Sequence, residues 1–77
     1  MSRPLQVELP IRLDQILQLS GLVETGGQAK AAVQEGMVRV DGTVETRRGR
    51  QLRGGEVITF QQKNVVVPKE STPRSPA

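Results

Sequence analysis

Three observations in this 77-residue chain predict an α+β fold. Two short stretches, residues 12–20 and 26–35, carry apolar side chains at helical spacing. An Asp41-Gly42 pair between valines gives one of the strongest short signals for a β-hairpin. A further strand pattern, residues 56–60, follows the glycine pair Gly54-Gly55. The architecture expected is two short packed helices followed by a small antiparallel hairpin or sheet. A chain of this size forms one domain and buries only about 60% of its unfolded surface. Its core must come from Leu, Ile, Val and Ala, with Phe60 the one aromatic residue.

In order along the chain, residues 5–9 alternate apolar and polar, the period of a strand that Pro10 then stops. Leu13, Ile16, Leu17 and Ser20 fall on one helical face, and Asp14 in the first turn complements the helix dipole. Gly21 ends this helix. Thr25 and Gln28 have capping-box spacing and start the second helix, whose inner face is Ala29, Ala32 and Val33. Gly36 ends it, and Lys30 points away from that face.

Residues 37–40 form a strand that returns over 43–46. A two-residue loop would pair Val40 with Thr43 and Arg39 with Val44, which puts valines on opposite faces. A three-residue loop pairs Val40 with Val44 and sets Arg39 opposite Glu45, a favourable cross-strand pair, and is the register expected. Leu52 anchors the loop that follows. Residues 65–67 pair with strand 56–60 across residues 61–64. From Pro68 the composition turns to proline and polar residues, a disordered tail.

The charge is local. Arg47, Arg48, Arg50 and Arg53 lie within seven residues, while the whole chain carries only +3. Outside that loop the remainder sums to −1. A solvated loop would be served as well by lysine or mixed charges. Four arginines without a lysine favour bidentate contact with phosphate. The chain has no Cys and no His, which removes thiol nucleophiles, His general bases and the usual zinc sites. Gly49 and Gly54 have the gap of a phosphate loop, but Gly55-Glu56 stands where Lys and Ser or Thr are required. Acids occur singly. A binding module rather than an enzyme is expected, with neither cofactor nor metal. One Phe and no Trp or Tyr leaves no platform for stacking bases, so an RNA partner would be read through backbone and shape. A helix-turn-helix DNA reader is disfavoured by a short, alanine-rich second helix and by the strands after it.

Taken together, Ile11-Arg12-Leu13-Asp14, Gly21-Leu22-Val23, Gln28-Ala29-Lys30, Gly36-Met37-Val38-Arg39-Val40-Asp41-Gly42 and Leu52-Arg53-Gly54-Gly55-Glu56-Val57-Ile58 resemble the S-four RNA-binding domain, or αL motif. The resemblance covers residues 11–60, and the run Val44-Glu45-Thr46-Arg47-Arg48 is most similar to the free-standing, YbcJ-like members. It implies an α+β fold in which both helices and the hairpin share one RNA-facing surface. It implies structured RNA, commonly ribosomal or transfer RNA, as partner, with Arg12 and Lys30 on phosphates. Gln15, where the family often has a basic residue, and Thr25-Gly26-Gly27, where it often has Ser or Arg, shift weight to the arginine loop. The expectation is therefore a single RNA-binding domain over residues 1–67, monomeric and cytoplasmic, with a tail over 68–77 and the ribosome as a candidate partner. Its site residues are Arg12, Lys30, Arg47, Arg48, Arg50 and Arg53. The alternative is a protein-interaction module whose basic loop docks an acidic partner in a ribosome-associated complex.

Overall fold

A computed structural model describes residues 7–70. The first pairing joins β1 (Ile11–Arg12) to β4 (Gln51–Leu52), antiparallel, with Ile11 opposite Leu52 and Arg12 opposite Gln51. The strand expected over residues 5–9 is not formed in its described part. Residues 7–9 have no strand assignment, and Val7 is buried in the core. Leu5 and Gln6 lie outside the described residues. Pro10 offers no amide to a ladder, and pairing begins one residue later.

Helix α1 (Leu13–Leu19) buries Leu13, Ile16 and Leu17, and Gly21 follows it with φ +81°. Helix α2 (Gly26–Gln34) starts at the expected capping box: Thr25 Oγ1 accepts from the Gln28 amide at 3.1 Å, and Gln28 Oε1 accepts from the Thr25 amide at 3.2 Å. Ala29, Ala32 and Val33 face inward as their spacing dictates. Both helices pack on a four-stranded antiparallel sheet in the order β3-β2-β5-β6, built from β2 (Val38–Val40), β3 (Thr43–Val44), β5 (Val57–Phe60) and β6 (Lys63–Val66). Val38, Val40, Ile58 and Phe60 are its inner face, joined in the core by Leu52 and Val67.

The hairpin register differs from expectation. The loop is two residues, Asp41-Gly42, with φ +51° and +82°, and Arg39 pairs with Val44 and Val40 with Thr43. Both turn residues adopt the left-handed conformations of a type I′ turn, whose twist matches that of the strands. Asp41 is also fixed from the next strand, its amide donating to Val57 O and its carboxylate accepting from Val57 N. Val44 consequently faces solvent, 47% exposed, and Glu45 turns inward, its amide donating to Val38 O. Arg39 and Glu45 are not partners.

The last hairpin is also tighter than expected. Gln61-Gln62 (φ +51° and +67°) is the whole loop, and Lys63 already pairs with Phe60. Beyond β6 the chain stays attached: Gly55 N donates to Val67 O and Val67 N to Glu56 O. Pro68 and Lys69 then cross Gly54 so closely that a Cβ there would lie 2.7 Å from the Pro68 carbonyl oxygen. The start of the expected tail is thus held against the domain, and residues 71–77 lie outside the described residues.

Candidate nucleic-acid interface

The expected loop over residues 47–53 is interrupted by β4: Arg47, Arg48 and Arg50 lie on the segment that connects β3 to β4 and is bound to the start of α1, and Arg53 follows β4. Arg12 is the N-cap of that helix, and an arginine side chain has no acceptor with which to cap amides. Backbone carbonyls of the loop take that role: Leu13 N donates to Arg50 O at 2.9 Å and Asp14 N to Arg48 O at 3.0 Å. Gln15 Oε1 accepts from the Arg12 amide. The sequence-distant Arg12 and the loop arginines are thereby brought to one edge of the molecule.

From the opposite side the loop is held by Glu45, a buried carboxylate. Its Oε2 accepts from the amides of Thr46 (3.1 Å) and Arg47 (3.2 Å) and lies 3.5 Å from Arg47 Nε, while Oε1 accepts from Arg50 Nη1 at 3.0 Å. Burial by itself would push this carboxyl up. The hydrogen bonds from Arg50 and Arg47, with the Arg47 charge, outweigh it and hold Glu45 below its ordinary value. An Arg50 N to Arg47 O bond closes the turn around Arg48 and Gly49. Glu56 does similar work at the far end. Its carboxylate accepts from the Arg53 amide at 2.9 Å and the Gly54 amide at 2.7 Å. Against the opposing effect of burial, those amides, its own amide and the Arg50 charge keep Glu56 ionised to lower pH than usual.

The expected site residues therefore divide by partner. Arg47 and Arg50 are shared with Glu45, although Arg47 keeps 80% of its side chain exposed and Arg50 36%. Arg12 Nε is 3.2 Å from Asp14 Oδ1, close but not aligned as a hydrogen bond, for that buried oxygen accepts none. Arg48 and Arg53 are exposed and form no ion pair among the described residues. Lys30 is exposed on α2. Arg39, expected to face Glu45, stands exposed on the outer sheet face between Val44 and Thr59. Arg47, Gly49, Arg50 and Gln51 line an open concavity on the loop. Glu45 is the residue that sequence reasoning missed. The signal was its place two residues before Arg47, obscured by the expected register.

These features define a small α+β domain in which a helix pair and an antiparallel sheet carry an arginine loop pinned at a helix start. The S4 domain model matches residues 6–68, and the chain belongs to the S4 domain family. It is 42% identical over 57 residues to the "Putative RNA-binding protein YbcJ" of Escherichia coli K12, covering 74% of this chain and 81% of that one. It is 34% identical over 62 residues to the "Probable ribosome maturation protein RlbA" of Bacillus subtilis, covering 79% and 87%. The solution structure of E. coli YbcJ, described as revealing an αL motif involved in RNA-binding, superposes with a TM-score of 0.58 at 37% identity, over 88% of this chain and 81% of that one. The trimeric Heat Shock Protein 15 of Vibrio cholerae shares the fold at a TM-score of 0.68 and 24% identity, over 87% and 71%. No helix among the described residues is long and apolar enough to cross a membrane.

Proposed function

We propose that this domain binds structured RNA, ribosomal or transfer RNA, through backbone phosphates and shape. The observation that carries the reading is the pinned loop. Its backbone is fixed by α1 amides on one side and Glu45 on the other while Arg48 projects free into solvent, and Arg53, beyond β4 with its amide held by Glu56, is exposed as well. A rigid loop bearing guanidinium groups suits phosphate, because little side-chain and backbone freedom remains to be lost on binding. Phe60 is buried, so no aromatic surface is offered to unstacked bases. Arg12 and Lys30 extend the contact along the helices. The names of the relatives support RNA and, through the ribosome maturation protein, a ribosomal RNA setting.

The test is a salt titration of binding to a ribosomal RNA fragment that contains duplex and loop. About four phosphate contacts give log affinity against log salt a slope of roughly −3 to −4. A flat slope refutes the phosphate reading.

A further inference from the structure

We propose that Glu45 is a positioning residue for RNA binding: it holds the loop so that Arg48 is presented free and Arg47 and Arg50 are aimed through one edge while the other stays open. This rests on the RNA reading above and adds to it a residue of the wrong charge for direct contact. A carboxylate beside an RNA site should, on charge alone, weaken binding. Its burial and its bonds to two main-chain amides and two guanidinium groups show what it does instead. The backbone around Arg48 is tied at four points, one of them through Glu45: the Arg47 amide to Glu45, the Arg48 carbonyl to Asp14, the Arg50 amide to the Arg47 carbonyl, and the Arg50 carbonyl to Leu13. Glu45, at the base of the loop, supplies the one side-chain bond among these four. A guanidinium has five N–H donors, and Glu45 takes one from Arg50 and one from Arg47, which leaves the rest for a phosphate.

Electrostatics and positioning predict opposite signs for Glu45→Gln, and this decides the matter. Removing one negative charge next to four arginines would tighten RNA binding. Loss of positioning weakens it. Affinity of wild type, E45Q and R48A for the same ribosomal RNA fragment is compared at one salt concentration. E45Q is expected to bind about five-fold or more weakly despite its extra positive charge, and R48A at least as weakly. The accompanying signature is in the free protein. Arg50 side-chain N–H resonances, slowed in rotation by the Glu45 contact, average in E45Q, while α2 amide resonances and hydrogen exchange stay as in wild type. Equal or tighter binding by E45Q overturns the proposal and leaves the RNA reading intact. So does weaker binding with α2 exchange raised, which marks general unfolding. A wild-type protein that binds no structured RNA overturns both.

Discussion

Glu45 shows how one side chain can reverse a reading made from charge alone. Four arginines within seven residues look like four free cations, yet two of them share a buried carboxylate and Arg12 lies against Asp14. The same carboxylate ties stability to pH. Glu45 and Glu56 both ionise below their ordinary value in the folded protein. Their contribution is therefore fully present above the unfolded carboxylate pKa and is lost as pH falls through the folded value. Urea unfolding is expected to give a lower midpoint at about pH 3 than at about pH 7, with the decline setting in below about pH 4.5 and shallower in E45Q. At neutral pH Glu45→Ala should cost about 1–2 kcal/mol, because its partners Arg47 and Arg50 remain solvated once it is gone. An E45Q midpoint falling as steeply with acid as wild type would exclude Glu45 from this linkage.

At the scale of elements, turn chemistry decided the hairpin register. The alternation of valines argued for pairing Val40 with Val44, but an Asp-Gly loop that reaches φ +51° and +82° costs least as a two-residue turn. Val44 is left exposed, as single apolar side chains often are, and Glu45, the next residue, fills the inward position with its charge paired to Arg50. Two glycines separate conformational from steric need. Gly42 has positive φ and open space beyond its Cα, whereas Gly54 has positive φ and the Pro68–Lys69 backbone against it. Gly42→Ala should cost about 1 kcal/mol. Gly54→Ala should cost about 2–4 kcal/mol, because backbone atoms of residues 68 and 69 must move as well. Chemical denaturation of the two variants checks this, and equal losses would remove the close approach as a cause.

For the whole molecule, the meaningful fact is that chain segments far apart in sequence meet at one edge. β1 pairs with β4, so Arg12 comes to lie beside Gln51, and α1 is capped by the loop. On the proposed reading, a surface made this way contacts phosphates rather than bases. Replacing Arg47, Arg48, Arg50 and Arg53 together by Ala should weaken binding to unrelated structured RNAs about equally. Competition between two duplexes of different sequence checks this. A loss confined to one of them would show base readout instead.

The helices, the cap of α2, the glycine stops, the inner faces and the presence of the last two strands were legible in the sequence because they depend on local rules. Spacing of apolar residues, a Thr-x-x-Gln box and glycines at positive φ act within a few residues. The resemblance that placed the chain in its family was carried by the same local segments in order. Only the tertiary structure decided which arginines are free, where Glu45 points, and that the loop is joined to α1. Those facts come from pairings between residues as far apart as Leu13 and Arg50, and a pattern read along one chain does not state which distant groups will satisfy each other's hydrogen bonds.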